Sequence, residues 1–143
     1  PLLRERVNAL RLGERVFLLG SLKDMGPAYE EADCLVHPTL EDTFAMVVLE
    51  AMAHGLPVVV SASTYCGISG LLAHGVNALI LNDPQDVSAL ARSLLELLGQ
   101  PALAARLVQG ATAFAMHYQW RELGLRQESL YFAVLAEKNA DQS

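Results

Sequence analysis

Four short apolar runs recur along the chain, and segments with helical patterns lie between them. The runs are RVFLLG at 15–20, CLVHP at 34–38, PVVVS at 57–61 and ALILN at 78–82. Their residues are almost continuously apolar, which is typical of parallel strands that are covered on both faces. Because strands and helices alternate, we predict an α/β fold built on an open, doubly wound parallel sheet.

Seven helical segments are predicted around these strands. They are residues 3–12, 27–32, 44–54, 68–73, 86–98, 101–117 and 122–138. The start at Asp86 has the strongest signal, because it follows the helix-entry sequence Asn-Asp-Pro. No strand follows the last two helices, so we expect these C-terminal helices to pack on a sheet face or on a part of the protein outside this chain.

The length and charge of the chain limit its function classes. Its 143 residues are enough for one domain with a single core. The formal net charge of -6 argues against binding to nucleic acid or to an anionic membrane. No apolar run is long enough to span a bilayer. The chain does not begin with Met and opens inside a helical pattern, so we expect it to be part of a longer protein.

The cysteines and histidines show no metal-binding spacing. Cys34 lies in an apolar run and Cys66 in a loop, and we predict that both are free thiols. The histidines form no H-x-x-x-H pair, and the cysteines no C-x-x-C pair.

Ligands of doubly wound sheets bind outside the carboxyl ends of the strands. The loops that matter here are residues 20–25, 39–44 and 62–67. Glu50 lies beyond the second of these loops, in a helix that is otherwise apolar from Phe44 to Ala53. A carboxylate in such a helix is costly unless a partner satisfies it. It either pairs with a lysine or backbone donor or faces solvent, or it accepts hydrogen bonds from ligand hydroxyls such as those of a ribose.

Asp42 stands eight positions before Glu50, where the loop enters the helix. It can be a plain N-cap. The first backbone amides of a helix are unpaired donors at the positive end of the helix dipole, which suits a pyrophosphate. Here they belong to Thr43, Phe44, Ala45 and Met46. A donor pose follows, with a ribose against Glu50, phosphates over the helix start and the transferred group beside Asp42.

The run HPTLEDTFAMVVLEAMAHGLPVVVS, residues 37–61, resembles the signature of GT-B-fold retaining glycosyltransferases of family 4. Segments 29–38, 75–81 and 118–120 also match, as does the last helix. The resemblance covers nearly the whole chain, and its central motif is specific. It implies that residues 1–143 are the donor-binding, Rossmann-like half of such an enzyme, truncated at the N-terminus, with the acceptor domain outside this chain.

The resemblance also implies roles for individual residues. Glu50 matches the glutamate that holds the donor ribose, and Asp42 matches the catalytic-site glutamate that lies against the donor sugar. The backbone that faces the phosphates belongs to Phe44, Ala45 and Met46, next to Thr43. The nucleobase edge matches the loop that contains Gly20, Ser21 and Lys23, although Lys23 is equally well explained as a solvated charge. His54 falls at a variable position, so we interpret it as structural.

Several positions depart from the family pattern. Asp42 replaces the usual Glu, Ala45 a common Gly, Gly70 a frequent Glu and Ala78 a frequent Gly. The turn Tyr65-Cys66-Gly67 and the missing downstream Glu resemble the branch that glucosylates the heptose core of bacterial lipopolysaccharide.

The resemblance implies that the substrate is a nucleotide diphosphate sugar, with a UDP-sugar favoured, and that no cofactor or metal is needed. Protein cations and amides then stabilise the leaving phosphate, with an Arg/Lys pair expected upstream of this chain. The expected partners are the nucleotide sugar and the acceptor domain, not nucleic acid. The expected location is cytoplasmic, and any contact with the inner membrane would be made by the part outside this chain.

Two other functions stay open at this stage. A non-hydrolysing nucleotide-sugar epimerase shares the GT-B fold but would lack the FAMVVLEAMA run. A non-catalytic α/β binding module is the other alternative, because Asp42 in place of Glu can mark a lost activity.

Overall fold

The sheet has three parallel strands. In the computed structural model, which describes residues 2–140, these are β1 (Leu35–His37), β2 (Val58–Ser61) and β3 (Leu79–Leu81). They lie in the order β1-β2-β3, with Val59 opposite Val36 on one side and opposite Leu79 on the other. The predicted parallel α/β fold is therefore confirmed, although each strand is shorter than the apolar run that predicted it.

Six α-helices and one 3₁₀ helix are described around the sheet. The α-helices are α1 (Leu2–Ala9), α2 (Gly26–Glu30), α3 (Met46–Ala53), α4 (Val87–Gly99), α5 (Pro101–Met116) and α6 (Trp120–Ala140). The predicted helix at 68–73 is a 3₁₀ helix, Gly67–Leu71. Helix α4 begins one residue later than predicted, and Asp86 caps it, because its Oδ1 accepts a hydrogen bond of 2.8 Å from the Ala89 amide. Within residues 2–140 no helix is long and apolar enough to cross a bilayer.

The central strand β2 is buried on both faces. Val58 and Val60 point into a cluster built mainly with α3 and α5, and Val59 packs into a second cluster with β3, α4 and α5. The alternation follows from the period of two along a strand. Burial on both faces explains why the run Val58–Val60 contains no polar residue.

The prediction of a first strand at residues 15–20 is wrong. This segment is irregular, and its side chains are exposed, with 72% exposure at Phe17 and 65% at Leu19. Helix α1 ends before it, where Arg11 adopts a left-handed φ of 54° and the Leu12 amide bonds back to the Val7 carbonyl. A strand exists only through ladder hydrogen bonds, and no described strand pairs with this segment. Its apolar composition alone could not show that.

The C-terminal helices behave differently from each other. Helix α5 packs against α3 and α4, as expected for a helix on a sheet face. Helix α6 has no buried side chain in its described part, and large apolar side chains such as Trp120 and Phe132 are exposed.

We predict that Gly110→Ala destabilises the fold. Gly110 lies inside α5, and a Cβ there would overlap the backbone carbonyl of Val76. Overpacking of this kind costs roughly 1–3 kcal/mol. Urea unfolding measures the loss, and Gly124→Ala in α6, where a Cβ meets nothing, is the matched control. Equal stability of the two variants would contradict the close approach of α5 to residue 76.

Candidate functional site

Two loops at the carboxyl ends of β1 and β2 are joined by backbone hydrogen bonds. The Asp42 amide donates to the Tyr65 carbonyl at 2.9 Å, and the Gly67 amide donates to the Asp42 carbonyl at 3.0 Å. Asp42 and Cys66 thereby form an isolated parallel bridge. The Ser61 hydroxyl adds a hydrogen bond of 2.7 Å to the Thr39 carbonyl. The two loops therefore extend the β1–β2 pairing beyond the sheet and form one unit.

Gly67 is required where these loops meet. A Cβ at this position would overlap the backbone carbonyl oxygen of Thr43. Only a residue without a side chain lets the loop that contains Asp42 approach so closely.

The Asp42 carboxylate is bound by its own loop. Its Oδ1 accepts hydrogen bonds from the amides of Phe44, at 3.1 Å, and Ala45, at 2.6 Å. Its Oδ2 lies 3.1 Å from Nε2 of His37, which is the last residue of β1. Helix α3 begins at Met46, later than predicted, after Ala45 adopts a left-handed φ of 65°. The prediction that the Phe44 and Ala45 amides are unpaired is therefore wrong, because the short Asp side chain takes both.

These contacts set the charge of Asp42. Partial burial raises the pKa of its carboxyl, but hydrogen bonds from Ala45, Phe44 and His37 outweigh that effect, so the pKa lies below its ordinary value of 3.8. Asp42 is therefore an anion at neutral pH.

Glu50 lies on the exposed side of α3, whose other residues include the fully buried Val48, Ala51 and Met52. The Tyr29 hydroxyl donates a hydrogen bond of 3.0 Å to Glu50 Oε2. The partner of Glu50 is thus a neutral phenol from α2, not a lysine.

An open cleft of about 370 Å³ lies beside this pair. It is lined by residues 24–26, by Tyr29, and by Glu50, Ala53 and His54. Gly20, Ser21 and Lys23, the predicted nucleobase residues, do not line it, and all three are exposed. Asp24, which follows them, does line the cleft.

The predicted phosphate-facing positions differ in environment. Thr43 is exposed, and the Met46 side chain is 51% exposed. The Phe44 ring is half-buried and lies 6.1 Å from the Tyr118 ring, whereas Ala45 is buried. Both cysteines are free, as predicted.

Sequence reasoning missed two residues of the site, Tyr29 and His37. Tyr29 entered only as the start of a matching segment. His54, which was interpreted as structural, lines the cleft, and its ring lies 5.1 Å from the Tyr29 ring. His37 has no spacing to another histidine that is typical of a metal site, so nothing in the sequence marked it as a site residue. No group of three or more His, Cys, Asp or Glu side chains that could hold a metal is found within residues 2–140.

The match of residues 1–100 shows that the chain belongs to the family described as Glycosyl transferases group 1. It is 34% identical over 107 residues to a D-inositol 3-phosphate glycosyltransferase of Thermobispora bispora, covering 75% of this chain and 24% of the relative. It is 32% identical over 129 residues to an exopolysaccharide phosphotransferase of Streptomyces coelicolor, covering 85% and 14%. The chain thus spans about a quarter or less of these relatives.

Solved structures share the fold. Sucrose-phosphate synthase from Thermosynechococcus elongatus superposes with a TM-score of 0.82 at 28% identity, over 94% of this chain and 34% of that one. HepE from Anabaena, in complex with UDP, gives 0.79 at 25% identity, over 93% and 36%. WaaG, a glycosyltransferase of lipopolysaccharide biosynthesis, gives 0.69 at 25% identity, over 78% and 30%.

We predict that Asp42→Asn reduces the acid sensitivity of the fold. Because the folded-state pKa of Asp42 is lowered, its contribution to stability is complete above 3.8 and is lost as the pH falls through the folded-state value. Urea unfolding between about pH 5 and pH 2 should therefore show a shallower loss of stability in the variant. Asp33→Asn, an exposed site, is the control. An unchanged acid slope for Asp42→Asn would contradict the hydrogen bonds assigned to its carboxylate.

Proposed function

We propose that this chain is the donor-binding domain of a retaining glycosyltransferase that moves a hexose from a UDP-sugar to a glycan or glycolipid acceptor. The observation that carries the proposal is the Glu50 carboxylate, which lies in an open cleft and has, among the residues that the structure describes, a single neutral partner. A carboxylate so placed suits the vicinal hydroxyls of a ribose. The HepE structures in complex with UDP and with UDP-glucose support the choice of nucleotide.

The proposed pose uses both carboxylates. The ribose lies against Glu50, the phosphates lie near the start of α3, and the sugar reaches Asp42. Oδ1 of Asp42 already accepts two amide hydrogen bonds, whereas Oδ2 has one partner, His37. Each carboxylate oxygen accepts about two hydrogen bonds, so Oδ2 retains room for one sugar hydroxyl.

We propose that the acceptor is a part of the lipopolysaccharide core. The similarity to WaaG and the turn Tyr65-Cys66-Gly67 favour an acceptor in the lipopolysaccharide core. We also propose that the chain alone binds the donor weakly and does not transfer the sugar. Catalysis needs donor and acceptor held in attacking geometry, and this chain spans about a quarter of the D-inositol 3-phosphate glycosyltransferase it matches.

A non-catalytic nucleotide-binding module is the second candidate. The observation that favours it is the engagement of both Asp42 oxygens within the protein. The two functions differ in whether a full-length protein that contains this chain, once bound to a UDP-sugar, transfers the sugar.

We predict that Glu50→Gln weakens UDP binding by roughly 1–3 kcal/mol, the scale of lost hydrogen bonds to a charged group. The Gln amide oxygen still accepts from Tyr29, so the fold should keep its stability. Calorimetric titration with UDP measures the affinity, and Glu96→Gln on the exposed side of α4 is the matched control. Unchanged affinity in the folded Glu50→Gln variant would remove Glu50 from the site.

We predict that Asp42→Asn, in a full-length enzyme containing this chain, lowers turnover more than it lowers affinity for UDP. UDP lacks the sugar and therefore does not reach Oδ2 of Asp42. Steady-state kcat and the Kd for UDP give the two quantities. Equal losses would place Asp42 at the nucleotide, and unchanged turnover would remove Asp42 from the reacting site.

A further inference from the structure

Tyr29 is buried beneath the candidate ribose site. It is 5% exposed and belongs to the same core cluster as Val48 and Met52 of α3, while its hydroxyl reaches Glu50 at the cleft. The ring of His54, from the residue that ends α3, lies 5.1 Å from the Tyr29 ring at an interplanar angle of 34°. The position of the phenol is therefore fixed by packing on more than one side.

Glu50, in contrast, is not buried in the core. It is exposed, and its hydrogen bond from Tyr29 is the only one that its side chain forms within residues 2–140. A free glutamate side chain samples many rotamers, and ordering it on ligand binding costs conformational entropy. A fixed donor on Oε2 restricts the carboxylate before the ligand arrives and leaves Oε1 for ligand hydroxyls.

We propose that Tyr29 is a positioning residue that holds the Glu50 carboxylate in the orientation that receives the ribose hydroxyls of the nucleotide. The inference rests on the proposed function, because it gives Glu50 a ribose to bind. Tyr29 acts on the nucleotide through Glu50.

The Tyr29 phenol can donate its hydrogen bond to Glu50 over the whole physiological pH range. Burial, the hydrogen bond to Glu50 and the charge of that carboxylate raise the pKa of Tyr29 to about 12. The hydroxyl consequently remains a donor. A lysine in its place would neutralise the carboxylate, whereas the neutral phenol leaves Glu50 its full charge for ligand hydroxyls.

The test compares UDP with 2′-deoxy-UDP by calorimetric titration of a full-length protein that contains this chain. Tyr29→Phe keeps the ring and its packing against His54 but removes the donor. We expect UDP affinity to fall roughly three- to tenfold, and 2′-deoxy-UDP affinity to fall less. In Tyr29→Phe, the ratio of UDP affinity to 2′-deoxy-UDP affinity should approach the ratio measured for Glu50→Gln. Because both changes act on one interaction, the double variant should bind UDP no more weakly than Glu50→Gln alone.

Tyr131→Phe, on the exposed helix α6, is the matched control and should leave both affinities unchanged. Thermal unfolding of each variant separates binding from folding, since a purely structural Tyr29 would lower the midpoint and affect both nucleotides equally. If Glu50→Gln weakens UDP binding while Tyr29→Phe leaves the affinity and the deoxy preference intact, the positioning role is wrong and the proposed function stands. If UDP does not bind, or Glu50→Gln has no effect, the proposed function itself is wrong.

Discussion

Val58, Val59 and Val60 are fully buried, and the helices on both sides of the sheet are held against them. Each fully buried aliphatic side chain contributes about 1.5–3 kcal/mol relative to an exposed one. The same strand ends at Ser61, whose hydroxyl bonds to the Thr39 carbonyl and whose own carbonyl accepts the Ser69 hydroxyl at 2.5 Å. The burial that stabilises the core therefore also sets where the ligand-side loops start.

The carboxylates of Asp42 and Glu50 differ in how many hydrogen bonds they accept within the protein. Asp42 is tied to its loop by two amides and His37, so its charge is used within the protein. Glu50 has one neutral donor and an open cleft, so its charge is available to a ligand. Under the proposed function, this contrast gives Glu50 a role in affinity and leaves Asp42 one acceptor site for a reacting group.

Sequence reasoning succeeded where burial decides structure. The continuous apolar runs at β1, β2 and β3 predicted parallel strands, and Asp86 predicted the start of α4. The same rule failed at residues 15–20, because an apolar run becomes a strand only when a neighbouring strand pairs with it. The candidate site also contains one residue that the sequence could predict and others that it could not. The position of Glu50 was visible as a charge in an apolar helix, whereas Tyr29 and His37 were not, because their roles depend on partners 21 and 5 positions away.

The short side chain of Asp42 explains why the amides of Phe44 and Ala45, predicted to be unpaired at the start of α3, are paired in the structure. Aspartate readily bonds to backbone amides two and three residues on, and Asp42 does so with Phe44 and Ala45. The Asp42 carboxylate therefore pairs with amide donors that would otherwise be available to a diphosphate. Within residues 2–140, the amides of Met46 and Val47 donate to no such partner and remain at the positive end of the helix. With a net charge of -6 on the chain, two amides offset little of a diphosphate's charge. The proposed donor therefore needs cations beyond this helix start, in agreement with the upstream Arg/Lys pair that the family resemblance implies.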